Sequence, residues 1–310
     1  MRVLVTGSRG FVGGSVGRFA AAAGHEVLGV ARSGQPEPDW PGRYAQADVL
    51  HAPLADLFAD FRPDVVVHGA GTASVGASLS APQDDLRAAV FTWSNTLESI
   101  RLSGTRPVIL FPSSAAVYGD PAELPVAEDA PVSPVSPYGF HKAACELVAR
   151  EYVQCYGLNI IVCRLFSVFG VRQRRLLVWE LFEQLAGPDP TVWLQGTGKE
   201  SRDYLHIDDV AAAMLAIAAQ SSHAQPHDGL PVINLGRGEE TPVLDLARQM
   251  SLLAGANKPV ACRGAAQTGN PVRWSADVER LRALLPGWRP RPLHGALGDC
   301  IAAWQVLGAG

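Results

Sequence analysis

Cysteine is scarce and scattered in this sequence, which argues against a scaffold held together by disulfides or zinc. The five cysteines are Cys145, Cys155, Cys163, Cys262 and Cys300, and none belongs to a C-x-x-C pair. The histidines form no H-E-x-x-H motif either, so neither a disulfide framework nor a metal site is indicated. We expect free thiols in a reducing compartment and no bound metal.

A strong charge of one sign and long apolar runs are also lacking. The 26 Lys and Arg residues against 30 Asp and Glu residues leave a net charge of −4, which gives little electrostatic basis for binding nucleic acid or a membrane surface. No apolar stretch approaches the ~18 residues of a membrane span, and the first residues lack the apolar core of a signal peptide. We therefore expect a cytoplasmic protein with no nucleic-acid partner and no membrane partner.

Short apolar runs alternate with longer Ala-rich and Leu-rich segments in the first half of the chain. The predicted strands are 2–6, 26–31, 64–69, 106–112 and 159–165, and the predicted helices are 11–23, 84–103 and 138–156. Strands that are apolar nearly throughout are typical of parallel strands covered by helices on both faces. The pattern predicts an α/β fold with a Rossmann-type, doubly wound parallel sheet.

The alternation becomes irregular after Phe166, where shorter segments take over. A helix at 207–219 and a strand at 231–235 are expected to return to the sheet, and later helices are expected near 241–254, 276–285 and 293–306. We therefore predict a dinucleotide-binding domain of residues 1–166 and 207–236. Residues 167–206 and 237–310 are predicted to form a smaller, mixed α/β substrate domain.

A glycine loop directly follows the first predicted strand and opens the first predicted helix. Gly7, Gly10 and Gly13 stand in the spacing G-x-x-G-x-x-G, and Arg9, Phe11 and Val12 lie between them. Glycines at such a turn let backbone N–H groups approach a pyrophosphate closely, and the helix N-terminus favours the anion. The loop therefore predicts a dinucleotide site formed by these six residues.

The end of the second predicted strand bears on which dinucleotide binds. NAD-preferring sites place an Asp or Glu there, whereas an Arg accommodates the 2′-phosphate of NADP. Here the strand ends at Ala31-Arg32-Ser33 with no carboxylate, and Arg9 adds a second positive charge nearby. NADP(H) is thus favoured over NAD(H), unless both arginines are merely solvated surface residues. Asp48 and the adjoining Val49 are candidates for the adenine contact, although a solvated turn is an equally simple role for Asp48.

Tyr138 and Lys142 are four residues apart just after Pro137, a residue suited to a helix start, so they share one helical face. A free tyrosine is too weak an acid to serve as a base at neutral pH, and a neighbouring ammonium stabilises its phenolate. Ser114 follows a predicted strand, where α/β sheets present ligand-binding residues. Ser114, Tyr138 and Lys142 are the predicted catalytic residues, and helical spacing places His141 away from them, at the surface.

These residues resemble the extended short-chain dehydrogenase/reductase family, specifically its NAD(P)-dependent nucleotide-sugar epimerase/dehydratase group, over nearly the whole chain. The matching segments are Thr6–Gly13, Asp48, Val66–Gly71, Ser113–Gly119, Pro137–Lys142, Arg164–Gly170, Gly196–His206 and Leu285–Pro290. The resemblance implies that Tyr138 is the acid/base, that Lys142 is its electrostatic partner, and that Ser114 orients the substrate hydroxyl. It also implies that Gly69, Ala70 and Gly71 contact the cofactor. Tyr138 and Lys142 are cofactor-binding candidates as well, since the lysine could hold the nicotinamide ribose.

The same resemblance implies a nucleotide-diphosphate sugar as substrate, with Arg202 on its diphosphate and Arg273 as a second, less secure diphosphate ligand. Two positions depart from the family pattern: Ser167 stands where an Asn is usual, and Ala89 replaces the Asn of a helix segment. Ser167 remains a candidate substrate ligand, through water if its shorter side chain does not reach. A homodimer through a four-helix bundle, built from the helices near 84–103 and 138–156, is also implied.

The two residues directly after Ser114 limit which reaction of the family is expected. Family members that are 4,6-dehydratases carry an acidic pair where this chain has Ala115 and Ala116, so dehydration is disfavoured. A 4-epimerase that acts by transient oxidation at C4 is expected first, and an NADPH-dependent 4-ketoreductase of a 4-keto-6-deoxy sugar nucleotide is the alternative. A non-catalytic cofactor-binding protein is a third alternative on this fold, but it would have no need of Ser114, Tyr138 and Lys142 together.

Overall fold

Parallel strands dominate the computed structural model, which describes residues 1–221, 229–264, 269 and 271–308. The strands are β1 (Arg2–Thr6), β2 (Glu26–Ala31), β3 (Arg43–Gln46), β4 (Val65–His68), β5 (Val108–Ser114), β6 (Asn159–Leu165), β7 (Ser167–Phe169), β8 (Val192–Leu194), β9 (Ser201–Arg202), β10 (Tyr204–His206), β11 (Val232–Leu235), β12 (Thr241–Pro242) and β13 (Val260–Cys262).

The helices of the described chain connect these strands on both sides of the sheet. They are α1 (Phe11–Ala22), α2 (Ala55–Phe61), α3 (Val75–Ser80), α4 (Pro82–Leu86), α5 (Thr92–Ser103), α6 (Pro137–Tyr156), α7 (Leu177–Ala186), α8 (Ile207–Ser221), α9 (Val243–Leu253), α10 (Glu279–Leu284) and α11 (Leu293–Gly308). No helix in the described residues has the length and apolar character needed to cross a membrane.

Seven strands form one parallel sheet in the order β11-β6-β5-β4-β1-β2-β3. The chain runs outward from β1 through β2 to β3, then returns to place β4, β5 and β6 on the other side. This is the doubly wound Rossmann order, in which the reversal beside β1 opens a crevice at the carboxyl ends of the strands. The predicted fold class is confirmed, and the crevice lies where the predicted site residues should meet.

Apolar burial on both faces explains why these sequences form central strands. Val3, Leu4 and Val5 of β1 are fully buried, and alternate residues point into opposite layers. One buried cluster includes Val3 and Val5 with α1 and α8, while the other includes Leu4 with α2, α5 and α6. A third cluster, from Phe169 to Trp304, packs α7, α9 and α11 together away from the sheet.

Several elements differ from the sequence-based expectation, which named neither the helices α2, α3 and α7 nor the short strands outside the main sheet. The edge strand β3 (Arg43–Gln46) was not predicted, because its residues are exposed or only half-buried. The helix predicted at 84–103 is interrupted by a π-helical turn, Arg87–Phe91, and the helix predicted at 276–285 is shorter, Glu279–Leu284. The two-domain division stays a proposal, which the separate third cluster supports.

Candidate active site

The glycine loop between β1 and α1 packs directly against the end of β4. Gly7 has φ +65°, and a Cβ added there would overlap the Gly69 carbonyl. A Cβ on Gly13 would lie 2.7 Å from the Gly7 oxygen, and one on Gly69 would lie 2.8 Å from the Gly13 Cα. The three glycines are therefore required by close backbone packing as well as by the turn itself.

This loop leaves an anion site at the start of α1. The N-cap residue is Gly10, which has no side chain to satisfy the N–H groups of the first helical turn. Phe11, Val12 and Gly13 form that turn, and its unpaired N–H groups and helix dipole suit a pyrophosphate. The predicted dinucleotide residues of the loop are thus brought together in a cradle of the expected kind.

The polar end of β4 is tied to β1 by a buried histidine. His68 Nδ1 lies 3.1 Å from Thr6 Oγ1, which also accepts the backbone N–H of Ala70 at 3.4 Å. Burial, with a smaller contribution from the positive charge of Lys142, lowers the pKa of His68 to about 3. His68 is therefore neutral at physiological pH, and its ring packs 4.8 Å from that of Trp93.

The loop that follows β2 places a carboxylate against Arg9. Arg9 Nη2 lies 2.9 Å from Glu37 Oε1, and Arg9 Nη1 donates to the Gln35 carbonyl at 2.6 Å. Arg32 is exposed, and its backbone carbonyl accepts the side-chain amide of Gln46 at 3.1 Å. Sequence reasoning predicted Arg9 and Arg32 as cofactor ligands but missed Glu37.

Asp48 shapes a turn on the same side of the crevice. One of its carboxylate oxygens accepts the N–H of Leu50 at 3.1 Å. The Asn95 amide of α5 donates to the carbonyls of Val49 and Ala52 at 2.7 and 2.9 Å. The turn carrying Asp48 and Val49 is therefore fixed in place at the edge of the crevice.

The start of α6 lies against the end of β5, which brings the predicted catalytic segments together. Ser136 caps the helix by accepting the N–H of Gly139 at 3.2 Å. A Cβ on Gly139 would lie 2.5 Å from the Ala116 carbonyl, in the 3₁₀ turn that Ser114 caps by accepting the Ala116 N–H at 3.1 Å. Only a glycine at this position permits so close an approach of the two segments.

Lys142 and Tyr138 share one face of α6, as predicted. The Lys142 ammonium lies 5.8 Å from the centre of the Tyr138 ring and donates to the Pro112 carbonyl at 2.9 Å. The Tyr138 backbone N–H donates to the hydroxyl of Ser78 on α3 at 3.0 Å. Tyr138 is half-buried and Lys142 is buried, so this cation is held beside the phenol with little solvent around it.

A buried ion pair that sequence reasoning missed lies beneath these residues. Arg164 of β6 donates to both carboxylate oxygens of Glu146, at 3.0 and 2.7 Å. The Ser113 hydroxyl also donates to Glu146, at 2.6 Å. The sequence feature that could have indicated this ion pair is the position of Glu146, one helical turn after Lys142 on the same helix face.

Arg202, one of the two predicted diphosphate ligands, forms no ion pair with a carboxylate of the described residues. Its guanidinium donates to the carbonyls of Ser201 and Val272 at 2.7 and 3.2 Å, and it lies 5.2 Å from the Trp274 ring. Burial lowers the pKa of Arg202. A half-buried guanidinium that has no ion pair in the described chain is suited to an incoming anion.

Arg273 is placed differently. It is exposed and forms a bidentate ion pair with Glu240, at 2.6 Å for both contacts. That hydrogen-bonded carboxylate raises the pKa of Arg273. Of the two predicted diphosphate ligands, Arg202 is therefore the one that has no ion pair among the residues that the structure describes.

Asp203, a residue that sequence reasoning missed, joins several chain segments next to Arg202. Its carboxylate accepts backbone N–H groups of Arg237, Gly238 and Ala276 at 2.7, 2.9 and 3.1 Å. Its backbone carbonyl accepts the N–H of Ser167 at 2.9 Å. Burial raises the pKa of Asp203, and the three backbone donors oppose that rise.

The remaining predicted positions lie around the α4 to α5 junction. Ala89 is buried in the π-helical turn, and a Cβ on Gly71 would lie 3.2 Å from the Ala88 carbonyl. The expectation that His141 lies at the surface is wrong. Its side chain is only 14% exposed and its Nδ1 lies 2.6 Å from Asp85 on α4, because α4 packs against α6 and covers that face.

Within the described residues, no group of three or more His, Cys, Asp or Glu side chains is arranged to hold a metal ion. The site is instead built from a glycine cradle, a strand-end serine and a Tyr-Lys pair on one helix. Together with the strand order, these features define a short-chain dehydrogenase/reductase of the extended type.

Comparisons with known proteins agree with this class. The family model described as "NAD dependent epimerase/dehydratase family" matches residues 3–236. The UDP-glucose 4-epimerase of Mycolicibacterium smegmatis is 32% identical over 97% of this chain and 96% of its own length. The chain therefore belongs to the NAD-dependent epimerase/dehydratase family.

Solved structures show the same architecture with more than one chemistry. A UDP-glucose-4-epimerase from Stenotrophomonas maltophila, described with bound NAD and formylated UDP-arabinopyranose, has a TM-score of 0.89 and 26% identity, over 100% of this chain and 99% of the other. An NAD-dependent NDP-hexosamine 5,6-dehydratase of tunicamycin biosynthesis has a TM-score of 0.86 and 27% identity over 98% of both chains.

Proposed function

We propose that this protein is a nucleotide-sugar 4-epimerase in which Tyr138 is the acid/base. The observation that carries the proposal is the approach of α6 to the end of β5, which sets the Tyr138 and Lys142 pair beside the turn capped by Ser114. The relatives named UDP-glucose 4-epimerase support a UDP-hexose as the first substrate to test.

The glycine cradle fits a nicotinamide dinucleotide. Gly7, Gly10, Phe11, Val12 and Gly13 would hold its pyrophosphate. Asp48 and Val49 would border the adenine, and Gly69, Ala70 and Gly71 would lie along the cofactor at the end of β4. The nicotinamide supplies the acceptor, and afterwards the donor, of the hydride at C4.

The chain's own residues would manage the proton and the orientation of the sugar. Tyr138, as its phenolate, accepts the proton of the C4 hydroxyl while the carbon is oxidised, and returns that proton when the ketone is reduced. The Lys142 ammonium stabilises the phenolate electrostatically, and the Ser114 hydroxyl hydrogen-bonds the same substrate oxygen. An epimerase additionally requires the keto sugar to rotate before reduction, so that the hydride returns to the opposite face of the sugar.

On the substrate side, Arg202 would bind the diphosphate through its unpaired guanidinium. Arg273 remains a second candidate for the diphosphate, and it would have to leave Glu240 to bind. Ser167 would contact the substrate from the start of β7. The diphosphate is the part that all nucleotide-diphosphate sugars share, so these contacts would set the substrate class without fixing the sugar.

The alternative function is an NADPH-dependent 4-ketoreductase of a 4-keto-6-deoxy sugar nucleotide. The exposed Arg32 beside the glycine loop favours it, since a net reductase needs an exchangeable NADPH. The preference for NADP(H) over NAD(H) stays a prediction that rests mainly on Arg32, because Arg9 is already paired with Glu37. A cytoplasmic location also stays a prediction.

The deciding experiment is incubation of the purified protein with UDP-glucose or UDP-galactose, with products followed by proton NMR. An epimerase gives the same equilibrium mixture from either sugar, without net consumption of added cofactor. Absence of interconversion, together with NADPH-dependent reduction of a 4-keto-6-deoxy sugar nucleotide, would replace the proposal by the reductase. Absence of both reactions across nucleotide sugars would reject both functions.

We also propose a homodimer in which α5 and α6 of two copies form a four-helix bundle. Phe91, at the end of the π-helical turn that leads into α5, and Phe140 and Leu147 on α6 expose 52%, 58% and 66% of their surfaces. Large apolar side chains grouped on neighbouring helices are typical of an interface.

A further inference from the structure

The ion pair between Arg9 and Glu37 lies where the glycine loop meets the end of β2. This is the region in which Rossmann-type folds distinguish the free 2′-hydroxyl of NAD from the 2′-phosphate of NADP. Arg9 uses one nitrogen on the Glu37 carboxylate at 2.9 Å and another on the Gln35 carbonyl at 2.6 Å. Its guanidinium is therefore already engaged on the loop after β2, which would border the ribose of a bound dinucleotide.

The loop that carries Glu37 is held on both sides. Before it, the Tyr44 hydroxyl donates to the Ser33 carbonyl. After it, Nε and Nη2 of Arg18 donate to the Asp39 carboxylate at 3.0 and 2.7 Å, and Arg172 contacts the same carboxylate at 2.5 Å. The position of Glu37 thus follows from fixed neighbours.

A 2′-phosphate would meet opposing charges at this point. Arg9 and Arg32 would attract it, but bidentate binding by Arg9 requires release from Glu37. The Glu37 carboxylate would also repel the phosphate, over a distance that screening limits to about 8 Å at physiological ionic strength. A ribose with a free 2′-hydroxyl meets no such repulsion.

We propose that Glu37 is a specificity-determining residue that lowers the affinity of the cofactor site for a 2′-phosphate by holding Arg9 and opposing the phosphate charge. The inference rests on the proposed binding of a nicotinamide dinucleotide in the glycine cradle. The relative affinity for NAD(H) and NADP(H) then depends on the opposing charges of Glu37 and the two arginines, rather than on the arginines alone.

The test compares the native protein with Glu37→Gln, which removes the charge and keeps the shape. Each protein is equilibrated with equal excess concentrations of NAD⁺ and NADP⁺, and native mass spectrometry measures the ratio of the two bound forms, which differ by the mass of one phosphate. The matched control is Glu26→Gln, since Glu26 is another carboxylate of the β2 region, paired with Arg2 and Arg43 at 3.6 Å. A third variant, Glu37→Gln with Arg9→Gln, removes the released cation.

We expect Glu37→Gln to raise the NADP⁺ to NAD⁺ ratio about tenfold, equivalent to about 1.4 kcal/mol, and Glu26→Gln to leave it within about twofold. The added Arg9→Gln change should cancel most of that increase. An unchanged ratio in Glu37→Gln, or an equal change in Glu26→Gln, overturns the inference alone. Binding of neither dinucleotide by the native protein overturns the proposed function and this inference together.

Discussion

The carboxylate of Glu146 on α6 and the guanidinium of Arg164 on β6 form a bidentate ion pair that is buried under the candidate catalytic residues. Glu146 follows Lys142 by one helical turn and accepts the hydroxyl of Ser113, the neighbour of Ser114. The ion pair therefore ties α6 to β6, and the Ser113 hydrogen bond ties α6 to β5, next to the helix turn that carries Tyr138.

Breaking this pair on one side is expected to cost about 3 to 5 kcal/mol of unfolding free energy, because the partner is left as an uncompensated buried charge. The variants are Glu146→Gln, Arg164→Met and the double substitution, each measured by urea unfolding. The double variant should lose less than the sum of the single variants. Strict additivity would show that the two side chains are not energetically coupled.

Tyr138→Phe should lower kcat by at least about a hundredfold, since general acid–base catalysis typically contributes a factor of about 10² to 10⁴. Cofactor binding, measured by native mass spectrometry, should be retained, because the change removes one oxygen. Tyr156→Phe, at the far end of the same helix, is the matched control and should behave like the native protein. Turnover by Tyr138→Phe at the native rate would refute the assigned role.

Arg202→Met should raise KM for the nucleotide sugar by about tenfold or more, since one charge-assisted contact to phosphate is worth about 1.5 to 3 kcal/mol. Arg273→Met should raise KM less, because that guanidinium is already bound to Glu240. Steady-state kinetics with Arg202→Lys added reports whether charge alone suffices. A larger rise of KM in Arg273→Met than in Arg202→Met would mean that Arg273 is the stronger diphosphate ligand.

His68 should make the protein less stable in mild acid. Its folded pKa of about 3 lies below the ordinary value of 6.5, so below pH 6.5 the unfolded chain binds a proton that the folded chain does not. The contribution of His68 to the free energy of unfolding is therefore fully present above pH 6.5. It is lost as the pH drops toward 3, by at most about 1.4 kcal/mol per pH unit. Urea unfolding at pH 7, 6 and 5 should show a smaller loss for His68→Asn. Equal losses would assign the acid sensitivity to other groups.

Leu147→Asp should convert the proposed dimer to a monomer at micromolar concentration, because it places a charge in the centre of the apolar helix face. Sedimentation velocity measures the change. Leu252→Asp is the control, since Leu252 is 70% exposed on α9, away from that face. A native protein that sediments as a monomer would reject the dimer.

The parts of the fold that sequence could predict are those with a strong local signal. The central strands are apolar throughout because both faces are covered, and Gly7, Gly10 and Gly13 are spaced by the needs of one turn. The edge strand β3 escaped prediction because its residues are exposed or half-buried and therefore give no continuous apolar run. The π-helical turn escaped as well, since Arg87–Phe91 keeps the composition of an ordinary helix.

Within the site, the residues that escaped prediction depend on contacts between distant segments. Helical spacing correctly separated His141 from Tyr138, but it could not reveal that Asp85 lies opposite His141. Glu37 and Asp203 likewise gain their roles from partners in other loops, Arg9 for the one and Gly238 for the other. Such pairs become visible only when the loops have a fixed conformation.

Trp40 limits how the cofactor loop could be exchanged in protein engineering. Its indole fills the space above Gly17 of α1 and Gly29 of β2, where a Cβ on Gly29 would lie 2.6 Å from the ring and one on Gly17 would overlap it. A loop taken from a relative with another cofactor preference would place a different side chain in the space that Trp40 occupies, or would leave that space empty. A functional exchange therefore has to include the loop after β2 together with Gly17 and Gly29. Exchanges of the loop alone should fail because its backbone would be misplaced.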